Sequence, residues 1–550
     1  MARHGGQILV DQLALQGVTR VFSVPGESFL AVLDGLHGSG IENIVCRHEG
    51  GAAMMAEATG KLTGRPGVCF VTRGPGATNA SSGIHVAMQD GTPMVLFVGQ
   101  IARGHRDRGA FQEVDYRAFF APLAKWVAEV DDTARLPEYI SRAFHLAQAG
   151  RPGPVVLALP EDMLSAVAET PDTGRAQPAE AELSLARAGS IMARIAGAER
   201  PLIVAGGRWS AAAAADLQRF AERNDLPVAV DFRRQDYIDN RSLCYAGDLN
   251  VGMNPALAER MRAADCLLVI GARLGDIATR GYALVDPAAP HATILHIHPD
   301  PDEPGSVYHP ALAAVATPES ALAALCEIPP VISTWHEWRT AARADYEAWL
   351  TPQQSPGAVK LEAVVRWLSD NLPEDAILTN GAGNYGAWLH RYFVYKQYGT
   401  QLAPTSGSMG YGFPAAIAAS LAQPDRVVVC LAGDGDFQMT LNELSTASQH
   451  GAKPIVIVAN NGRYGTIRMH QEKRYPGRVS GTDLANPDFV ALARAYGGHG
   501  ERVEDSADFP AAFARAQAAQ TVAVIELRLD SEALSPAMTL SEARNSQAMT

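Results

Sequence analysis

A carboxylate and a carboxamide placed at two strand ends are the residues of this chain most ready for chemistry. Asp434 lies in Gly433-Asp434-Gly435, directly after the apolar run 427–432. Asn460-Asn461 lies directly after a second apolar run, 454–459. Both runs have the length and unbroken apolar character of strands buried in a parallel sheet, and a helix-length segment separates them. Equivalent ends of neighbouring parallel strands lie side by side, so Asp434 and Asn461 can share one ion. Hard oxygen donors with a glycine-lined approach suit Mg²⁺ holding a diphosphate. A Gly-Asp-Gly taken alone is more often an ordinary tight turn. The second strand end with its carboxamides is what makes it a candidate site.

A further carboxylate stands in a comparable place. Glu49, in Arg47-His48-Glu49, follows the apolar stretch Ile44-Val45-Cys46 and precedes the small-residue stretch Gly51-Ala52-Ala53-Met54-Met55-Ala56. It therefore enters at the carboxyl end of a strand, where parallel sheets bind their ligands. Position alone equally describes a helix-start glutamate favoured by the helix dipole.

Such groups need buried parallel strands to position them, and the chain supplies these in three stretches. The first, about residues 1–170, has short apolar strands at 20–24, 67–72, 94–98 and 155–159, alternating with helical stretches. The second, about 186–335, has strands at 202–205, 227–230, 267–270 and 294–297. The third, about 357–540, carries Asp434 and Asn461. Such alternation predicts α/β architecture, three doubly wound parallel-sheet domains with helices on both faces. Residues 166–185 read as a linker, 333–356 as a second loose stretch, and the tail after Ser535 as mobile.

Composition narrows the classes. A length of 550 residues predicts three to four domains. With 47% apolar and 19% charged residues the chain reads as a soluble globular protein with a large core. The net charge of −13 argues against nucleic acid or an anionic membrane as partner. The six cysteines are scattered without a CxxC, as expected of reduced core thiols. The first residues show no apolar leader and no run approaches a membrane span, so the cytoplasm is the expected location.

Gly17-Val18-Thr19-Arg20-Val21-Phe22, Pro25-Gly26, Arg47-His48-Glu49, Gly74-Pro75-Gly76-Ala77-Thr78-Asn79, Phe111-Gln112-Glu113 and Gly410-Tyr411-Gly412-Phe413-Pro414 occur in that order, ahead of Asp434 and the Asn pair. Together they resemble the acetolactate synthase-like family of thiamine diphosphate (ThDP) enzymes, over about residues 5–535. The resemblance implies a pyrimidine-binding domain, a central domain and a diphosphate-binding domain. It implies a cofactor held between the first domain of one subunit and the third of another, hence at least a homodimer, with a homotetramer expected. It makes Glu49 the acid that protonates the aminopyrimidine, with Gln112 a second active-site residue and Lys125 near it. Asp434, Asn461 and the carbonyl of Arg463 become Mg²⁺ ligands. Thr405-Ser406-Gly407-Ser408-Met409 becomes the loop that bends the cofactor. Met409 is its wedge, a suitable job for an adaptable side chain, and the carbonyl of Gly407 takes the 4′-amino group. Gly383, Asn384 and Tyr385 become diphosphate contacts, though Asn384 and Tyr385 replace the usual Gln and His. Gly26, Asn79, Gly433, Gly435, Asp436, Tyr464, Gly465 and Thr466 complete the expected cofactor contacts.

The substrate side departs from acetolactate synthases. Ile277 stands where they carry a carboxylate-binding Arg, His470 where they carry an acceptor-selecting Trp, and Arg73 where many carry Ser. Gly50 replaces a common Gln, and Glu27-Ser28 replaces small residues. Loss of an arginine fork removes bidentate carboxylate recognition. Arg73 is the candidate replacement, with Arg280 a second, while Glu27 and Ser28 join it on the substrate side and His470 is a candidate proton relay. The expected enzyme makes or breaks a carbon–carbon bond beside a carbonyl, as a 2-oxo acid decarboxylase or carboligase. The alternatives are a lyase or acyl transferase on another 2-oxo acid or 2-hydroxy ketone, a flavin-dependent oxidase, and a non-catalytic paralogue. Gly206-Gly207 and His298-Pro299-Asp300, each after a central-domain strand, are compatible with FAD without requiring it.

Overall fold

Apolar runs such as Met94–Gln100 and Pro154–Pro160 are buried along their whole length, which requires cover on both faces. The computed structural model describes residues 2–546 and meets this need three times, with three six-stranded sheets, each parallel throughout. In the first, the strands lie in the order Glu42–Val45, Arg20–Ser23, Gly67–Val71, Met94–Gln100, Pro154–Pro160, Trp126–Glu129. The central sheet runs Tyr245–Leu249, Val228–Asp231, Pro201–Ala205, Cys266–Ile270, Thr293–His298, Leu312–Val315. The third runs Gln401–Leu402, Ile377–Asn380, Val428–Gly433, Ile455–Asn460, Ala523–Arg528, His499–Val503. The first and third sheets thus share one strand order and the central sheet has another. Each order reverses beside its first strand in the chain, between Arg20–Ser23 and Gly67–Val71, Pro201–Ala205 and Cys266–Ile270, and Ile377–Asn380 and Val428–Gly433, and the crevice outside those carboxyl ends is where open parallel sheets take ligands.

Two stretches read from sequence as loose are ordered. Residues 333–356 contain the helix His336–Trp349. Trp335, Arg339, Ala342 and Tyr346 recur at helical spacing and are buried, with Tyr346 meeting Tyr245 edge to face at 4.8 Å. Beyond Ser535, a short strand Met538–Thr539 leads into the helix Leu540–Asn545. Thr539 and Glu542 form a capping box, and Arg544 grips Glu472 with two hydrogen bonds of 2.9 Å. That pairing holds the Glu472 carboxyl down at about 2. The remaining tail, 547–550, lies outside the described residues. The 166–185 linker is tied along the first domain, where Asp172 accepts hydrogen bonds from Arg3 and Gln12.

One apolar cluster runs through the first and third domains, where helix Glu49–Thr63 packs on helix Gly412–Ala422. At that seam Glu57 is fully buried and accepts hydrogen bonds from Tyr411 and Thr92, while Lys61 pairs with Asp90. No helix among the described residues is long and apolar enough to cross a membrane.

Candidate active site

The third domain builds a cavity of about 260 Å³ at the carboxyl ends of its central strands. Strand Val428–Gly433 delivers Asp434, and strand Ile455–Asn460 delivers Asn461. Asp434 is buried. Its Oδ1 accepts the N–H of Gly435 at 2.9 Å and its Oδ2 that of Gly462 at 2.8 Å, which wraps the Asn461–Arg463 turn around the carboxylate. Asn461 Oδ1 accepts the N–H of Arg463 at 3.2 Å. Burial pushes the Asp434 carboxyl above its ordinary range, so a cation there would favour its charged form. Among the described residues no three His, Cys, Asp or Glu side chains cluster as metal ligands. An ion here would rest on Asp434 and neutral oxygens, a donor set that fits Mg²⁺ carrying a diphosphate.

Glycines make room around this point. A Cβ on Gly435 would stand 2.5 Å from the Tyr464 ring, and one on Gly383 2.7 Å from Tyr385. Gly407, with φ +65°, and the half-buried Met409 reach the same cavity from the loop after strand Gln401–Leu402. Asn384 closes it from the side, its Oδ1 accepting a 2.9 Å hydrogen bond from Thr466. Gly433 and Gly465 complete the rim. The lining lies wholly within residues 382–534, with nothing from the first domain.

The first domain presents a separate constellation. His48 caps helix Glu49–Thr63, its Nδ1 accepting the Gly50 N–H. Glu49 Oε2 accepts a 2.9 Å hydrogen bond from Asn79 of the neighbouring helix. Gly76 lies so close that a Cβ would sit 3.2 Å from Glu49 Oε1. Gln112, at φ +64°, packs on Gly74, whose N–H donates to the Tyr116 hydroxyl at 2.7 Å. Glu49, Asn79 and Gln112 therefore share one end of the first sheet, on a partly exposed face.

Several sequence expectations need correction. Arg73 is not a free cation: it is buried and paired with Glu161 at 3.0 Å and Glu27 at 3.5 Å. Glu27 is thereby its partner on an exposed turn. Ser28 is fully buried, its hydroxyl bonded to Thr72 at 2.8 Å. Gly26 is a close-packing position, since a Cβ would meet Thr72 at 2.4 Å. Asp436 turns its carboxylate inward, accepting from Gly410 N–H at 2.7 Å and from the Tyr385 hydroxyl at 2.6 Å. Tyr385 and Asp436 are thus tied to each other, and both still line the cavity. His470 is exposed on helix Gly465–Arg474, while its neighbour Met469 meets Asn384. Lys125 precedes strand Trp126–Glu129, at the opposite end of the sheet from Glu49, and bonds the Ala149 carbonyl. Arg280 donates to the Met253 carbonyl. Ile277 lines a different cavity, of about 470 Å³, at the switch point of the central sheet.

Two supporting residues escape sequence reasoning. Asn486 donates to Asp434 Oδ2 at 2.7 Å and to Asn460 Oδ1 at 2.9 Å, linking both strand ends. Glu443, fully buried, accepts the N–H groups of Arg47 and His48 and so anchors the turn that carries Glu49. Both act across the fold, and neither sits in a local pattern that announces it.

The family models agree with this division. The thiamine pyrophosphate enzyme N-terminal TPP binding domain matches residues 3–119, the central domain 189–325, and the C-terminal TPP binding domain 381–527. The acetolactate synthase large subunit of Parasynechococcus marenigrum is 34% identical over 524 residues, covering 91% of this chain and 83% of that protein. The acetolactate synthase isozyme 2 large subunit of Escherichia coli is 32% identical, covering 91% of both chains. The mitochondrial acetolactate synthase catalytic subunit of Saccharomyces cerevisiae is 31% identical, covering 96% of this chain and 80% of that one. Three domain models in order, relatives aligned across nearly the full length and a glycine-lined acidic cradle in the third domain lead to one conclusion: this chain belongs to the thiamine pyrophosphate enzymes, as an acetolactate synthase-like, ThDP-dependent enzyme.

Proposed function

We propose that the third-domain cavity holds ThDP and Mg²⁺ and that the chain acts on a 2-oxo acid, through decarboxylation and carboligation. The observation that carries this reading is the convergence of Asp434, Asn461 and three glycine-bearing turns on one cavity. Bound there, ThDP supplies a nucleophilic carbon and an electron sink beside a carbonyl. Asp434, the Asn461 carboxamide and the Arg463 carbonyl would hold the metal. The Gly383, Asn384 and Tyr385 turn, which lines the cavity, would bring main-chain N–H groups to a diphosphate. Met409, which lines the cavity, would serve as the wedge against the cofactor. Glu49 holds a proton against N1′ of the aminopyrimidine, and the Asn79 amide fixes its carboxylate. Gln112 reaches the same end of the sheet from its tight turn.

Glu49 and the cradle are complementary halves that one chain does not bring together in a single cavity. We therefore infer a homodimer as the smallest active assembly, with a tetramer built from it. The residues at acetolactate synthase acceptor positions, Ile277 and His470, differ from that family's, so acetolactate is not the expected main product. Incubation with ThDP, Mg²⁺ and a panel of 2-oxo acids, followed by NMR of products, tests this. Consumption dependent on both ThDP and metal is expected. Efficient acetolactate formation from pyruvate overturns the product reading, and inertness towards every 2-oxo acid overturns the substrate class.

Arg73→Ala is expected to lower stability by about 0–1 kcal/mol, because the Glu161 and Glu27 carboxylates that lose their shared partner are solvent-exposed. It should reduce kcat/KM equally for 2-oxo acids and uncharged aldehydes. A loss confined to the charged substrates would restore Arg73 as a carboxylate anchor.

FAD is the second reading, for the central cavity. Gly207, His298 and Pro299 line it, with Arg151 and Arg273 set among the carboxylates of Asp90, Asp231, Asp276 and Glu319. Gly207 itself serves a tight approach, 2.2 Å from a Cβ position to the Gly271 carbonyl. Flavin absorbance of the purified protein decides this point.

A further inference from the structure

We propose that Arg233, a central-domain residue outside the cavity, is a positioning residue that sets the separation of the two cofactor loops. The proposal rests on the reading of the third-domain cavity as the ThDP cradle. Arg233 follows strand Val228–Asp231 and is 4% exposed. Its guanidinium crosses into the third domain. Nη2 donates to the carbonyl of Gly381 at 2.7 Å, and Nη1 donates to the carbonyl of Pro404. Gly381 opens the turn that carries Asn384, and Pro404 precedes the loop that carries Gly407 and Met409. One rigid fork therefore spans the roots of both loops.

A second tie joins the same loops with the opposite polarity. Asp436 Oδ1 accepts the N–H of Gly410 at 2.7 Å and that of Ala382 at 3.3 Å. The cation holds carbonyls, the anion holds amides, and the pair fixes the gap that the cofactor has to span.

Stability alone is a weak reason to keep Arg233, whose guanidinium otherwise meets the Phe232 ring, 4.7 Å from its centroid. No carboxylate bonds it directly, its Nε is buried without a partner, and burial lowers its pKa. Its backbone sits at φ +62°, a strained region for a non-glycine residue. A buried cation satisfied mainly by carbonyls is less favourable than an apolar side chain of similar volume. The fork geometry of arginine is what an apolar residue lacks.

The test compares Arg233→Met and Arg233→Lys with the wild-type protein. The readouts are ThDP affinity by calorimetry with Mg²⁺, near-ultraviolet circular dichroism of the bound cofactor, and kcat and KM for a 2-oxo acid at saturating ThDP. Arg233→Met is expected to bind ThDP about 10- to 100-fold more weakly, with an altered dichroic band and a lower kcat but unchanged KM. Arg233→Lys, which keeps the charge and reaches one carbonyl, should fall between. A lower melting temperature with unchanged ThDP affinity and dichroism would overturn the proposal, as would failure of both variants to fold. Asp434→Ala separates the two levels of the argument. If it binds ThDP normally, the cradle reading fails. If it loses ThDP while Arg233→Met retains it, only the positioning role fails.

Discussion

Asp434→Ala is expected to abolish Mg²⁺-dependent ThDP binding, weakening it by at least about 10²-fold. Of the two carboxylates lining the cavity, Asp436 is engaged by Tyr385 and Gly410, while Asp434 stands against the turn that carries Asn461. It also organises the Asn461–Arg463 turn through the Gly462 N–H. Its removal therefore takes away a charged ligand and loosens the turn that brings the neutral ones. A diphosphate would then face the site without charge compensation. Calorimetry with Mg²⁺ should show heat for the wild-type protein and none for the variant. The melting temperature without cofactor is the control, because Asn486 and two main-chain N–H groups also lose their acceptor. Retained affinity would remove Asp434 from the metal site.

Glu49→Gln should leave ThDP bound and slow exchange of its C2 proton by about 10²–10⁴-fold, the usual worth of a positioned acid or base. The substitution is nearly isosteric, and the Asn79 amide can still find an oxygen acceptor. The amide cannot supply the acidic proton that the pyrimidine N1′ needs. Calorimetry should therefore read near-normal affinity while hydrogen–deuterium exchange at C2, followed by NMR on quenched samples, falls. Wild-type exchange in the variant would reduce Glu49 to a helix-start residue. Since Glu49 does not line the cradle of its own chain, mixing Glu49→Gln with Asp434→Ala subunits should restore about one working site per mixed dimer.

Which parts of this molecule were legible beforehand follows from the range of the interactions involved. Most of the buried parallel strands announced themselves as unbroken apolar runs because a strand covered on both faces has no polar side, but the inner strand Ala523–Arg528, with Glu526 in its apolar run, and the edge strand Trp126–Glu129 did not. The edge strands Tyr245–Leu249, Leu312–Val315 and His499–Val503 were missed, and the last of these carries Glu501 and Arg502 in its middle. Helix His336–Trp349 was missed because its buried side includes Arg339 among charged neighbours, which makes the segment read as polar throughout.

By itself the sequence determined the α/β class, the three-part division and the turns of Asp434 and Asn461 at neighbouring strand ends. Each of these depends on local chemistry: an apolar run, a glycine beside an acid, a carboxamide at a strand end. Only the tertiary structure decided which charged and polar side chains remain free to meet a ligand. Arg73 looked available until Glu161, 88 residues away, came within 3.0 Å of it. Asp436 and Tyr385 both reach the cavity, but only packing showed that their side chains bond each other across the strand ends. Asn486, Glu443 and Arg233 carried no local signature, and they acquired roles only when distant segments met. A side chain's partner is set by packing across the whole chain, and no spacing along the sequence encodes it.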